Sequence, residues 1–451
     1  MWESAFSDRP IYAGPRRVYH FYMSKIDYQR TTHSQRREIE SLHRDQLKNY
    51  QLERLNQVLQ AILPTNRFYQ SKFQAIDLPL ASIDDLRQFP FTLKEELLDP
   101  ENEAGFAANL TFPIDQYCRF HRTSGTRGRP LIVLDTANDW DWWMETWQYV
   151  LDSADMNADD RVVMAFSFGP FIGFWSAFDA AVERGAMVAP TGSLSTIARI
   201  ELIRSIDATI IFCTPSYALH MAEVAQQHQI DLTSSSVKKI IVAGEPGGSI
   251  PSIRQQIESS WNAKVIDHSG ASEVGPWGYA NAAGSGIYIN EAEFSAEFIS
   301  LETGNPATQG ELSELVLTCL GRIGSPVIRY RTGDLVRPQW NTSPPSNFVL
   351  LEGGVLGRTD DMMIIRGVNV FPTSIEQILR GFPEIVEYRL TAFKIESMDQ
   401  LKIEIEGQLE SPERVRAELQ IQLGLRVEVK CVPAGSLPRF EAKGKRFIDQ
   451  R

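Results

Sequence analysis

Between residues 160 and 268, short apolar runs at 161–166, 186–189, 208–213, 239–243 and 264–266 alternate with stretches long enough for helices. Successive parallel strands need long crossovers, usually helical, so this alternation implies β-α-β units and a parallel sheet. From 286 to 335 the runs shorten into mixed strands. After Gly357 the character changes. Pro372, tolerated in a first helical turn, opens a helix reaching about Arg380. Leu401, Ile403 and Ile405 alternate with Lys402, Glu404 and Glu406, the period of a half-buried strand. Ser411-Pro412-Glu413 starts another helix, and 425–432 is a further strand. The expected fold is α/β: a large N-terminal domain over 1–359 and a small α+β domain over 360–451. Its length, about 90 residues, is ordinary for a domain.

Ahead of the alternating region, residues 35–75 place Leu42, Leu47, Leu52, Leu55, Val58, Leu59 and Ile62 at largely helical spacing, with Pro64 as the break. The 451 residues carry 45 basic and 57 acidic side chains, a formal charge of −12. That balance argues against a broad nucleic-acid or anionic-membrane surface while leaving room for a local basic pocket. Cys118, Cys213, Cys319 and Cys431 are scattered, with no C-x-x-C pair, so neither a zinc site nor a disulfide framework is expected. A reducing cytoplasm is the expected compartment. The N-terminus has no signal-peptide pattern, and the apolar run at 162–175 is too short and too broken to span a bilayer.

One segment is built for anions. Arg122-Thr123-Ser124-Gly125-Thr126-Arg127-Gly128-Arg129-Pro130 packs three hydroxyls, two glycines and three arginines into nine positions. Glycines let backbone N–H groups turn inward, and hydroxyls add donors, so such a loop suits phosphate oxygens. It does not follow the G-x-x-x-x-G-K-[ST] pattern. On composition alone, a polar surface turn is an equal reading.

The loop resembles the T-S-G-T-T-G-x-P segment of adenylate-forming enzymes, and the chain looks most like their phenylacetate–CoA ligase branch. Asp267-His268-Ser269-Gly270-Ala271-Ser272-Glu273-Val274-Gly275 resembles the family's Y-G-x-S-E-x-G, and Arg329-Tyr330-Arg331-Thr332-Gly333-Asp334-Leu335 its R-Y-R-T-G-D-L. The run Gly357, Arg358, Asp360, Asp361 and Arg366-Gly367-Val368-Asn369-Val370-Phe371-Pro372 resembles its hinge. Leu437-Pro438-Arg439-Phe440-Glu441-Ala442-Lys443-Gly444-Lys445-Arg446 resembles its closing P-R-x-E-G-K motif. Phe68-Tyr69 and Phe89-Pro90-Phe91-Thr92-Leu93-Lys94 are also similar to the branch's N-terminal region.

The resemblance implies ATP-dependent activation of a carboxylic acid, with aromatic acids the expected class. Attack of the carboxylate on the α-phosphate expels pyrophosphate, and the acyl group then passes to the thiol of CoA with release of AMP. Two anions must meet, so cations and oriented donors are required where charge concentrates. Thr123, Ser124, Gly125, Thr126, Arg127 and Gly128 are the implied phosphate cradle, with Arg127 and Arg129 in place of the family's threonine and lysine. Glu273 is implied as the Mg²⁺ ligand, directly or through water, and Lys443 as the catalytic lysine, with Lys445 one alternate position away. Asp334 is implied for the ribose hydroxyls and Arg358 for the ribose or α-phosphate. Gly244, Glu245 and Pro246 are implied for the adenine slot, and Ser269, Gly270 and Ser272 for the nucleotide wall. Ser269 stands where the family commonly has tyrosine. Asp360 is the implied hinge. Phe168, Phe171, Phe174 and Trp175 suit a flat aryl acid and equally a buried core. Trp140, Trp143 and Trp147 fall on one helical face and read as core or dimer contact. Relatives in the branch are often dimers.

Two alternatives stay open at this level. The acyl group could pass to a carrier-protein thiol or an amine, since the motifs do not separate acceptors. A catalytically inactive nucleotide-binding homologue is the other, against which the joint presence of Thr123–Gly128, Glu273, Asp334, Asp360 and Lys443 argues. A hydrolase lacks its G-x-S-x-G elbow.

Overall fold

The structure, a computed structural model, describes residues 30–73, 76–98, 105–123, 130–281, 283–340, 346–365, 368–382, 384–395, 398–409, 411–439 and 446–451. The expected parallel strands form at Arg161–Met164, Met187–Pro190, Ile210–Cys213, Lys239–Val242 and Lys264–Ala271. Each pairs in parallel register with its neighbour in one sheet. Ile210–Cys213 is buried at all four positions, as a strand covered on both faces must be. Past Lys264–Ala271 the pairing turns antiparallel through Gly275–Ala280, Gly286–Ile289, Leu350–Glu352 and Pro338–Gln339, giving nine strands among the described residues.

The helix Ala137–Ser153 fills the space behind the antiparallel half. Its four tryptophans are all buried, and each indole N–H finds an acceptor: Trp140 on Asp179, Trp142 on Glu293, Trp143 on Asp135 and Trp147 on Ser176. Large aromatics can enter a core only when that N–H is satisfied. The helix is buried on nearly every face, so the tryptophans belong to the core. Gly275, at φ +132°, lets the Trp142 ring pass against the backbone; a Cβ there would meet it at 2.7 Å.

The N-terminal region forms His33–Glu40, Arg44–Ile62 and Arg67–Lys72. The periodicity suggested one helix before Pro64; instead it breaks at 41–43, where His43 adopts an extended backbone ahead of the second helix. These helices dock on the sheets through long-range charge pairs, Arg36 with Asp152 at 2.6 Å and Arg44 with Glu291 at 2.7 Å.

A second sheet, antiparallel throughout, orders Phe294–Ser300, Ser313–Cys319, Tyr330–Val336 and Gly357–Arg358. C-terminal to it, a separate sheet orders Glu428–Val432, Met398–Gly407, Ile385–Ile395 and Phe447–Asp449, covered by the helices Pro372–Arg380 and Glu413–Leu423. Its own core runs from Met363 to Val429 and shares no buried residue with the other cores. Both helices start where Pro372 and Ser411-Pro412-Glu413 implied.

Candidate active site

In an open parallel sheet, loops following the strands' carboxyl ends gather on one edge, and ligands bind there. Four of the implied segments meet at that edge, three of them leaving the sheet itself. Phe168–Trp175 follows Arg161–Met164, Gly244-Glu245-Pro246 follows Lys239–Val242, and Ser269 to Glu273 close Lys264–Ala271 at the point where the sheet changes direction. The fourth, Thr123, ends the hairpin of Tyr117–Arg122 and Ile132–Thr136. The Arg122 N–H donates to Pro170 O at 2.5 Å, which brings the hairpin's end to the same edge. Thr123 closes the loop's base: its N–H donates to Leu131 O at 2.9 Å, and its hydroxyl accepts from Leu131 N at 3.0 Å. Ser124, Gly125, Thr126, Arg127, Gly128 and Arg129 lie outside the described residues.

Glu273 is buried, and its carboxylate accepts from Lys94 Nζ at 3.1 Å and from the Tyr330 hydroxyl at 2.9 Å. Burial is the largest single influence and works against its charge, but the Lys94 ammonium, its own backbone N–H and the Tyr330 hydroxyl together hold the carboxyl below its usual range. The backbone here is fixed from behind. Arg322, fully buried, donates to the carbonyls of Ser272 and Glu273 at 3.1 and 3.0 Å, and pairs with buried Asp135 at 2.6 Å. Asp135 also accepts from Trp143 Nε1. Lys94 arrives on a clamped segment: Thr92 N donates to Arg329 O and Arg331 N to Thr92 O. Arg329, at φ +49°, lays its guanidinium 4.1 Å from the Phe91 ring centre and pairs with Glu297.

Four residues beyond Tyr330 on the same strand stands Asp334, directly opposite Arg358 in the antiparallel register. Arg358 Nη1 donates to Asp334 at 3.0 Å and Nε to Asp360 at 2.9 Å. Although burial opposes its charge, the two carboxylates hold Arg358 firmly protonated. The candidate ribose carboxylate, its arginine and the candidate hinge thus form one ionic chain. Gly333, at φ +76°, takes a backbone conformation in which any side chain would be strained, and a Cβ there would also crowd Arg358 Nη2 at 2.9 Å.

Other implied residues take different parts. Glu245 turns its carboxylate to Ser216 N at 2.8 Å, at the start of the helix Pro215–Gln227, so its side chain serves that helix terminus. Phe168 and Trp175, with Phe178, Pro190, Gly192 and Ser193, line a cavity of about 440 Å³. Phe171 packs on Phe166, whereas Phe174 is buried against Phe166 and Phe212 in the core. Lys443 and Lys445 lie outside the described residues; the ends of their segment are held by Arg439 on Glu406 and Arg446 on Glu387.

Lys94, Tyr330, Arg322 and Asp135 had been given no role from the sequence. Tyr330 sits inside the quoted R-Y-R-T-G-D-L run and Lys94 ends the quoted 89–94 segment, so both carried a signal. Arg322 and Asp135 carried none. Among the described residues no group of three or more His, Cys, Asp or Glu could hold a metal, and no helix is long and apolar enough to cross a membrane. A magnesium ion arriving on a triphosphate needs only one or two protein carboxylates, so Glu273 fits that demand.

Residues 367–451 match the family model for the AMP-binding enzyme C-terminal domain. The chain is 32% identical to the phenylacetate–coenzyme A ligase of Escherichia coli K12, over 92% of this chain and 97% of that protein. It is 30% identical to the Pseudomonas putida enzyme of the same name, over 90% and 95%. The fold superposes on 2-hydroxyisobutyryl-CoA ligase in its post-adenylation state with a TM-score of 0.86, at 24% identity, covering 94% of each chain. By these likenesses, the chain belongs to the phenylacetate–CoA ligase family of AMP-forming acid–CoA ligases.

Proposed function

We propose that this chain activates an aromatic carboxylic acid with ATP and transfers the acyl group to CoA. The observation that carries the reading is the convergence at one sheet edge. Glu273 is clamped by Lys94 and Tyr330, and the same Tyr330 strand presents Asp334 to Arg358.

In the first half-reaction a carboxylate oxygen of the acid bonds to the α-phosphorus, and the bond to the β-phosphate bridging oxygen breaks, releasing pyrophosphate. The hairpin loop closed by Thr123 cradles the outer phosphates. Asp334 accepts from the ribose hydroxyls, and Arg358 places its positive charge beside the ribose and α-phosphate. Glu273 is the carboxylate that would hold Mg²⁺, whose charge shields the triphosphate when bound. Lys443 is assigned to the developing charge at the α-phosphate. In the second half-reaction the CoA sulfur, having lost its proton, bonds to the acyl carbon and AMP leaves with the anhydride oxygen. The alternation between the two turns on Asp360, the proposed hinge between a domain of 1–359 and one of 360–451.

The cavity beside Phe168 and Trp175, walled by aromatic rings, supports an aryl acid as the substrate class. The test is acid-dependent exchange of labelled pyrophosphate into ATP across aryl, fatty and amino acids, with and without CoA. Exchange strongest with an aryl acid, and a thioester on addition of CoA, is the expected result. Exchange without thioester would move the acceptor to a carrier-protein thiol or an amine; exchange confined to fatty acids would overturn the aromatic assignment.

A further inference from the structure

The C-terminal domain rests on the large domain across an open seam. A cavity of about 970 Å³ runs between the helices Pro215–Gln227 and Pro251–Trp261 on one side and Arg380, Val386 and Arg439 on the other. Such a volume means that side chains there do not interlock, so dispersion does little to fix the two bodies together. At one wall of this seam stands an ion pair joining them: Arg439 Nε lies 3.5 Å from Glu223 Oε2, on the helix Pro215–Gln227. Near the hinge, the Thr373 hydroxyl donates to Leu356 O at 2.5 Å and Arg358 pairs with Asp360 at 2.9 Å.

Arg439 is not a loose surface arginine. Its two terminal nitrogens bind Glu406 at 2.6 and 3.2 Å, and Glu406 also accepts from Gly435 N at 2.8 Å and Leu437 N at 3.2 Å. Glu406 is buried, so the turn from 435 to 439 is held to the sheet of its own domain. That leaves Nε as the face of the guanidinium turned to Glu223. A guanidinium can satisfy two carboxylates at once because its donors point along separate directions in one plane. Glu223 thus reaches, through one rigid arginine, the turn from which the chain runs on toward Lys443.

We propose that Glu223 and Arg439 form a docking latch, and that both are positioning residues for adenylation. The pair holds the C-terminal domain against the large domain while the carboxylate and ATP react, and it must open before the domain can turn for thioester formation. This rests on the two-step reading above. Because the pair is half-exposed, its worth is that of an exposed ion pair, so its effect is a bias between arrangements and not a lock. A bias is what an alternating enzyme requires, since a lock would stop the second step.

The test is Glu223→Arg, which sets like charges face to face on a helix surface and leaves the core untouched. Glu201→Arg, on the neighbouring helix Thr196–Ser205, controls for the added charge. Two rates are measured: acid-dependent pyrophosphate exchange, and thioester formation from chemically prepared acyl-adenylate and CoA. In Glu223→Arg, kcat for exchange should fall about three- to tenfold with KM for ATP nearly unchanged, while thioester formation keeps its rate or rises. Glu201→Arg should match the unmodified protein in both. Raising salt should lower exchange in the unmodified protein and not in Glu223→Arg. If Glu223→Arg exchanges like the unmodified protein, or if both half-reactions fall together, the latch is wrong. If the unmodified protein exchanges with no acid at all, the two-step reading itself falls and takes the latch with it.

Discussion

A single carboxylate, Glu273, concentrates the electrostatics of the site. It is ionised at neutral pH although buried, because Lys94, its own backbone N–H and Tyr330 favour the charged form. Glu273→Gln keeps the shape and the Tyr330 contact but removes the charge. Pyrophosphate exchange should fall by about 10²–10³, with the Mg²⁺ requirement shifted to higher concentration and the melting temperature little changed. Lys443→Ala should lower exchange by a similar factor while sparing thioester formation from preformed adenylate. Unaltered exchange would reassign the lysine, Lys445 being the next candidate. His268 makes a different residue-scale prediction. Burial pushes its imidazole down to about 4, and Nδ1 donates to Gly278 O at 2.7 Å beside the Trp147 ring. Between pH 4 and 6.5 the unfolded chain therefore binds a proton that the native state refuses, so this residue's contribution is lost as pH falls through that window. Neighbouring Asp267, pushed up to about 6 by burial, opposes it in part. Thermal melts at pH 6.5 and 4.5 should show a smaller drop for His268→Asn than for the unmodified protein; an equal drop would mean the imidazole titrates normally.

At the scale of elements, what could be read from the sequence was whatever depends on local period and punctuation. Ile210–Cys213 and, after Lys239, Ile240-Ile241-Val242 announce themselves because a strand covered on both faces must be apolar, and Pro372 in a first turn and Pro412 at an N-cap mark helix starts because proline does not fit a helix interior. Breaks without proline were invisible: nothing at 41–43 interrupts the apolar spacing, yet Ser41 caps the first helix, the His43 N–H donates to Gln46 Oε1 at 3.2 Å at the start of the second, and the two helices dock on separate carboxylates, Asp152 and Glu291. Partners far apart in sequence were equally hidden. Lys94 and Glu273 are 179 positions apart, and the cap that Glu245 offers to Ser216 depends on two loops meeting. The turn before the Lys443 segment is the element where this matters most. Arg439 holds Glu406 well down, to about 2, together with the backbone donors of Gly435 and Leu437. A carboxyl depressed in the folded state stabilises above its unfolded pKa and loses that contribution as pH falls from about 4.5 toward 2. Glu406→Gln should remove this at neutral pH, destabilising the C-terminal domain by about 1.5–3 kcal/mol as hydrogen bonds to charged groups are lost. All nine tryptophans precede residue 341, so indole fluorescence will miss it. Hydrogen exchange along Met398–Gly407 is the measurement, and protection equal to the unmodified protein would sink the prediction.

For the whole molecule the question is whether two bodies with separate cores must move to complete the reaction. The chain Asp334–Arg358–Asp360 runs from the candidate ribose site into the short helical turn Thr359–Asp361, so nucleotide contacts and hinge backbone share one network. Two effects of Asp360 can be separated. Asp360→Ala removes the carboxylate but leaves the torsions free, and Arg358 keeps Asp334. Asp360→Pro removes the same carboxylate, fixes φ near −65° and bars Thr359 from helical torsions. If Asp360 serves only as a charge partner, the two variants should behave alike. If it is the hinge, the proline must favour one arrangement of the domains, and the half-reaction needing the other must suffer more. The ratio of pyrophosphate exchange to thioester formation from preformed adenylate should therefore shift by at least about tenfold in Asp360→Pro, and by less than about threefold in Asp360→Ala. The ratio is the right quantity, because a partly misfolded proline variant would lower both rates together and leave it untouched. An unchanged ratio with both rates intact would place the pivot elsewhere in 357–372 and leave Asp360 as an ionic partner of Arg358 alone.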